Sequence, residues 1–291
     1  MSFNAEMKAE LCSSSFVCPN CVCAECLGLM LYAAKFAPDG IKLQSDSHTV
    51  RKRVMSVARQ VFGFPLRQDG NILSLSEEYE MRYAYEAFGY EYKNSPLQLN
   101  RALVEDDCCK AAFLRGVLIA GGYASSPEKG YHLEIVTSHY HIARQTATLL
   151  SEMGLNAGYV QRRGNHILYF KDSSLIEDVL TTAGAQTSAM EIMVKKVERD
   201  LNNNINRKVN CDTANLDKTV AAAAVQTAAI KKLQAAGRLD TLPAPLRETA
   251  ELRLSNPDLS LSALCKLHSG EISRPGLNGR MRRLVKLAEE L

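Results

Sequence analysis

Thiols, imidazoles and a basic run near the end of the chain are the side chains most able to do chemistry here. Cys18, Cys21, Cys23 and Cys26 fall within a nine-residue stretch, and Cys108 and Cys109 are adjacent. Thiolates at Cys-x-x-Cys spacing are soft metal ligands. The pairs Cys18/Cys21 and Cys23/Cys26 are separated by one residue, which leaves no loop to wrap a tetrahedron, and Cys108-Cys109 is too local to bind an ion alone. The reading is therefore free thiols, with no metal and no cofactor. His132, His139, His141 and His166 are near one another in sequence, but alternation of strand and helix should spread them over different faces. No Ser or Cys stands at a defensible nucleophile–base spacing from a His. Gly121-Gly122 is not followed by Gly-Lys-Ser/Thr, so it is no phosphate loop. Catalytic residues are expected to be absent. What remains is a set suited to nucleic acid: Ser273, Arg274, Asn278, Gly279, Arg280, Arg282, Arg283 and Lys286. Basic side chains neutralise phosphates, and an Asn amide or a guanidinium can pair with a base edge.

Those residues need a helix to present them. Counting 100° per residue from Leu277 places Met281, Leu284, Ala288 and Leu291 on one face, and Asn278, Gly279, Arg282, Arg283 and Lys286 on the other. A helix is expected over 277–291, with Arg274 entering from the turn before it. Pro245–Ser255 and Ser260–His268 read as two shorter helices, the first ended by Pro257 and the second by Gly270. Three short helices with a basic, Gly-opened last one have the layout of a helix-turn-helix, whose recognition helix presents its first residues to the major groove. A solvated charged face is the plain alternative for a basic amphipathic helix standing alone.

Charge is divided along the chain. The net charge of the 291 residues is +3. Residues 195–291 carry 17 basic and 11 acidic side chains, against 18 and 21 in residues 1–194. A basic C-terminal third on a mildly acidic body fits a polyanion-binding module attached to a separate domain. Between them the Asn-rich, Lys/Arg-bearing stretch 191–218 reads as a polar linker, followed by an Ala-rich helix over 219–236. A 46% hydrophobic and 23% charged composition excludes wholesale disorder. No apolar run is long enough for a membrane helix. The start lacks the basic-then-apolar order of an export signal. A cytoplasmic protein acting on the nucleoid, with reduced thiols, is expected.

The first two-thirds repeats itself. Cys21, Ala24 and Gly28 match Cys109, Ala112 and Gly116 at an offset of 88. Further collinear matches follow at a slowly growing offset: Ser47-His48 with Ser138-His139, Gly63 with Gly154, and Gly89 with Gly184. In the second half the pattern predicts helix 110–121, strand 131–137, helix 139–153, strands 157–162 and 166–171, and helix 173–183. In the first half it predicts helix 24–36, strand 41–45, helix 48–62, strands 64–68 and 71–75, and helix 77–88. Two αβαββα halves, about 1–100 and 101–190, make a pseudo-two-fold α+β domain with a shared sheet. Gly28 and Gly116 each interrupt a helix at a cost of about 1 kcal/mol relative to Ala. A close crossing of the two equivalent helices on the pseudo-dyad would explain both.

The helix Leu114-Arg-Gly-Val-Leu-Ile-Ala-Gly-Gly122 resembles the signature helix of the LAGLIDADG homing endonucleases, and Cys26-Leu-Gly-Leu-Met-Leu-Tyr-Ala-Ala34 is a poorer copy. In that family an acid near each signature-helix end binds divalent metal. The matching positions here are Ala33 and Gly121, and neither can ligate a cation, so the cleavage chemistry is expected to be lost. A narrower likeness covers the whole chain. Cys108-Cys109-Lys-Ala-Ala-Phe-Leu-Arg-Gly, Glu128–Val136, Asn206–Lys218 and Ser273–Leu284 are similar to segments of the bacterial WhiA sporulation and cell-division regulators. Those proteins join a degenerate homing-endonuclease fold to a C-terminal helix-turn-helix. The resemblance implies a LAGLIDADG-like domain at 1–190, a linker at 191–218 and a DNA-binding domain at 219–291. It implies a non-enzymatic transcription regulator of double-stranded DNA, linked to cell division, chromosome segregation or sporulation. A metal-dependent endonuclease would instead need relocated acids, with Glu25, Asp107 or Glu134 converging. A third reading makes the N-terminal domain a docking surface for a transcription partner or another regulator.

Overall fold

A computed structural model describes residues 2–268 and 270–291 of the chain. Met1, where the family likeness begins, and Ser269 lie outside the described residues. The chain divides into two compact units, one ending at Arg199 and one running from Asp200 to Leu291.

The first unit opens on helix α1 (Phe3–Ser13), capped by Ser2. Its first half continues with α2 (Asn20–Leu31), β1 (Lys35–Ala37), β2 (Gly40–Gln44), α3 (His48–Phe62), β3 (Arg67–Asp69), β4 (Ile72–Leu75) and α4 (Glu78–Ala87). After a 3-10 turn at Arg101–Val104, the second half repeats the order. It comprises α5 (Asp107–Gly121), β5 (Gly122–Ala124), β6 (Leu133–Thr137), α6 (Tyr140–Glu152), β7 (Gly158–Arg162), β8 (Asn165–Phe170) and α7 (Ser173–Ala183). The duplication is exact at the level of topology. Each half forms its own antiparallel four-stranded sheet, ordered β1-β2-β4-β3 and β5-β6-β8-β7.

Two details depart from the sequence reading. The sheet is not shared: the halves carry separate sheets. Each half also has one strand more than expected, β1 and β5. Both are three-residue edge strands directly after the central helix, too short to show a period of two. The larger strands follow the alternation: β6 buries Leu133, Ile135 and Thr137 and half-exposes Glu134 and Val136. Helices α3 and α7 end on left-handed Gly63 and Gly184, which accept that backbone without a Cβ penalty.

The expected close crossing of α2 and α5 is present. A Cβ on Gly28 would lie 2.4 Å from the Phe113 carbonyl oxygen, and one on Gly116 would lie 2.2 Å from that of Glu25. Each glycine therefore seats the other helix's backbone. The flanking Ala24, Leu27, Leu31, Ala112, Phe113 and Val117 are buried. Beside the crossing, Glu25 is fully buried. Its carboxylate takes two hydrogen bonds from Arg53, at 2.7 and 2.9 Å, and one from Arg115 at 2.7 Å. Arg115 also donates to the Ala183 carbonyl. Removing either guanidinium would leave a buried carboxylate short of partners, which is strongly destabilising.

Helix α8 (Gln186–Ala235) runs for 50 residues and contains the whole of the stretch read as a linker. The side chains of residues 200–218 are all exposed, as a polar segment's should be, but the backbone is helical rather than irregular. The reason lies in what the sequence omits: no Gly or Pro occurs between Gly184 and Gly237. Asn costs a helix at most about 0.7 kcal/mol per residue, which does not break one. Near its start α8 buries Ala189 and Ile192 in the first unit's core, and near its end Ile230 and Leu233 in the core of the second. The second unit is completed by α9 (Ala244–Ser255), α10 (Leu261–Leu267) and α11 (Arg274–Glu289). Among the described residues, no helix is long and apolar enough to cross a membrane.

Candidate nucleic-acid interface

Helix α11 starts three residues earlier than its apolar periodicity indicates, because Ser273 caps it. The Ser273 hydroxyl accepts from Gly276 N at 3.3 Å, and Pro275 occupies the first turn, where its missing N–H costs nothing. The buried face is Leu277, Met281, Leu284 and Ala288. Leu291, which the helical count adds to that face, lies past the helix end and is exposed. This stripe packs with Leu246, Ala250, Leu264, Ile230 and Leu233 into one small core. Lys232 Nζ donates to the Ala288 carbonyl at 2.8 Å, tying the end of α8 to the end of α11.

The turn between α9 and α10 is set by Arg253, which is 1% exposed. Its guanidinium donates to the Leu259 carbonyl at 2.6 Å and also faces the carbonyls of Asn256 and Pro257. Ser260 then caps α10 by accepting from Ala263 N. The α9–α10 connection is held from within by a side chain that the sequence does not single out.

The residues singled out from sequence divide into three groups. Arg274, Gly279, Arg282, Arg283 and Lys286 are exposed, and Asn278 is half-buried among them. Among the described residues, none of Arg274, Arg282, Arg283 and Lys286 forms an ion pair with a carboxylate. Asn278, Arg282 and Lys286 share the wall of an open groove with Ala222, Val225 and Gln226 of α8. Arg274 faces a second groove beside Lys218 and Ser262. Ser273 is engaged as a cap. Arg280 differs from the expectation: it is half-buried and turned inward, with Nη1 3.1 Å from His268 Nε2 and 3.4 Å from the Pro245 carbonyl. It supports the helix packing rather than the outward row, because 280 falls at the border of the buried stripe.

The first unit holds the two positions that the resemblance to homing endonucleases aligns with catalytic acids. Ala33 follows α2 and Gly121 closes α5. At Gly121 even a Cβ would lie 2.7 Å from the Val136 carbonyl oxygen and 2.7 Å from the Tyr32 ring. The acids that could have relocated do not come together as a metal-binding group among the described residues. Glu25 is consumed by Arg53 and Arg115, Asp107 pairs with Lys110 at the surface, and Glu134 faces His132. The histidines are less dispersed than expected. His141 and His166 both lie against the Tyr140 ring, and His166 Nδ1 is 2.7 Å from the Tyr159 hydroxyl.

The cysteines differ most from the sequence reading. Cys18 and Cys21 stand at the start of α2, Cys108 and Cys109 at the start of α5, and the crossing brings all four Sγ atoms within 4.8 Å of one another. Cys23 and Cys26 are elsewhere. Hydrogen bonding from the Cys21 thiol draws Cys18 down to about 7, whereas burial pushes Cys26 well above the ordinary thiol range.

Comparison with known proteins follows this division. The model of the WhiA C-terminal HTH domain matches residues 205–288, and that of the WhiA LAGLIDADG-like domain matches residues 110–202. The probable cell division protein WhiA of Clostridium botulinum (strain Eklund 17B / Type B) is 32% identical over 311 aligned positions, covering 100% of this chain and 99% of the relative. The chain belongs to the WhiA family. The corresponding protein of Clostridium novyi (strain NT) is 42% identical over 189 positions, 65% of this chain and 60% of its own length. The crystal structure of full-length DUF199/WhiA from Thermatoga maritima has a TM-score of 0.61 at 25% identity, covering 100% of this chain and 99% of that one. The architecture is thus that of WhiA proteins: a duplicated α+β LAGLIDADG-like domain followed by a helical HTH domain.

Proposed function

We infer that this chain is a transcription regulator that binds double-stranded DNA, acts in cell division on the nucleoid, and has no nuclease activity. The observation that carries the reading is the exposed basic row Arg274, Arg282, Arg283 and Lys286, without a carboxylate partner among the described residues, on a helix whose opposite face is packed. A surface helix with that charge and no internal partner gains most from a polyanion. The WhiA relatives are named probable cell division proteins, which supports the cellular role.

Affinity measured on specific and random duplexes across a salt series tests the DNA interface. Arg283→Ala and Lys286→Ala should each lower the log–log salt slope by about 1, equally on all sequences. Asn278→Ala and Arg282→Ala, closer to the start of α11 where base-edge contacts come from, should cost about 1–3 kcal/mol on the specific site and relax preference there. Four variants that bind as the parent does would place the interface elsewhere, with the exposed β7 edge around Gln161 and Arg162 as the next surface to test.

The absence of nuclease activity rests on Ala33 and Gly121, and on the crowding at 121 that leaves an aspartate no room. Plasmid DNA incubated with the pure protein and magnesium or manganese should stay intact. Site-specific, metal-dependent nicking would contradict this.

A further inference from the structure

The four thiols at the start of α2 and α5 have a geometry that free cysteines do not need. Cys18 Sγ lies 3.4 Å from Cys21 Sγ, 3.6 Å from Cys109 Sγ and 3.6 Å from Cys108 Sγ. One sulfur near-equidistant from three others, with all four within 4.8 Å of one another, fits the corners of a tetrahedron. A disulfide would draw one pair together and leave the rest apart. Four thiolates around a single ion at about 2.3 Å each stand about 3.8 Å from one another, close to the spacing found. A polynuclear iron–sulfur cluster would hold the sulfurs much further apart.

We propose that Cys18, Cys21, Cys108 and Cys109 form a structural site for one zinc ion, which clasps the two halves of the duplicated domain at the same end of their central helices.

Three further features support the site. Both helix N-termini lack a side-chain cap: Pro19 has no acceptor to offer, and the Asp106 side chain makes no capping bond. No capping side chain therefore stands between the two helix starts and the sulfurs, which sit at the positive ends of two helix dipoles. Cys21 and Cys109 are buried, and Cys21 and Cys108 border a groove of about 290 Å³ together with Ser15, Val17 and Arg115, so the cluster can be reached from it. All four positions are filled by protein sulfur, as in structural rather than catalytic zinc sites. Soft thiolate donors in a tetrahedron select zinc over magnesium or calcium. Loading replaces the thiol protons by the ion, so binding should release protons.

The test uses the full chain purified under reducing conditions. Elemental analysis should find one zinc per chain. Cobalt(II) added to the chelator-stripped chain should give the intense visible bands of a tetrahedral thiolate site, and one equivalent of zinc should abolish them. Cys18→Ser and Cys109→Ser should reduce bound zinc to a trace, and Cys23→Ser should leave it at one per chain. If the serine variants do not fold, the cobalt titration of the parent decides alone, since its spectrum reports the donor set directly. A parent that binds no zinc and gives no tetrahedral cobalt spectrum overturns the proposal. So does loss of zinc in Cys23→Ser equal to that in Cys18→Ser, or a non-reduced mass showing these thiols paired as disulfides.

Discussion

Gly116→Ala should destabilise the first unit strongly, although a helix-propensity argument forecasts the reverse. Ala in a helix interior is favoured over Gly by about 1 kcal/mol. That gain is available at Gly279, where a Cβ meets nothing within 4 Å. Gly279→Ala should therefore raise the stability of the second unit by up to about 1 kcal/mol. At Gly116 the new methyl would sit 2.2 Å from the Glu25 carbonyl oxygen and 3.0 Å from Leu29 N. Both are backbone atoms in the middle of α2, so they cannot swing aside as a side-chain tip would. The two central helices must separate, which strains the packing around Phe113, Val117 and Leu27. It also pulls on the buried Glu25 carboxylate, whose bond from Arg115 crosses the same contact, while Arg53 of α3 holds it from the other side. Overpacking costs about 1–3 kcal/mol where neighbours can adjust and more where they cannot. A net loss of about 3 kcal/mol is expected, a fall of roughly 6–12 °C in the melting of a unit this size. Gly28→Ala, 2.4 Å from the Phe113 oxygen, should behave alike, and the double variant should not yield a folded first unit. Melting followed by near-ultraviolet circular dichroism would report it, since the aromatic cluster of Phe36, Phe62, Tyr85 and Phe88 lies in this unit. A rise in melting temperature for Gly116→Ala would show that the helices do not approach this closely.

Much of this architecture was legible in the sequence because it depends on short-range periodicity and on a repeat. Helices α3 and α7 occupy the expected spans 48–62 and 173–183, where an apolar stripe ends on a glycine. The glycine pair at 28 and 116 announced the crossing. Other features were hidden for physical reasons. The length of α8 was obscured by its Asn-rich middle, although the absence of any breaker over 50 residues was the stronger signal. The thiol cluster was missed because its ligands come from positions about 90 apart, and no local spacing rule reaches across a pseudo-dyad. The repeat nonetheless held the clue. Cys21 and Cys109 are equivalent residues on helices expected to cross, two turns before the crossing glycines, which places both on the same end of the pair. The inward turn of Arg280 depends on His268 and Pro245, contacts that a helical count cannot supply.

The central claim is that α11 reads DNA, and paired charge reversal tests it most directly. Arg282→Glu/Arg283→Glu changes two exposed side chains and leaves Leu277, Met281, Leu284 and Ala288 in place, so the domain should fold as before. Truncation at 219 would instead cut through α8, whose last turns belong to the core beneath α11. Each lost contact is worth about 1–3 kcal/mol, and reversal adds repulsion from the phosphates, so specific affinity should fall at least about 100-fold. The measurement is recovery of fragmented genomic DNA by the full chain and by the double variant at physiological salt, followed by sequencing. The parent should enrich a small set of shared-sequence fragments, and the variant, with unchanged melting temperature, should enrich none of them. Enrichment of the same fragments to the same degree by the variant would contradict the account.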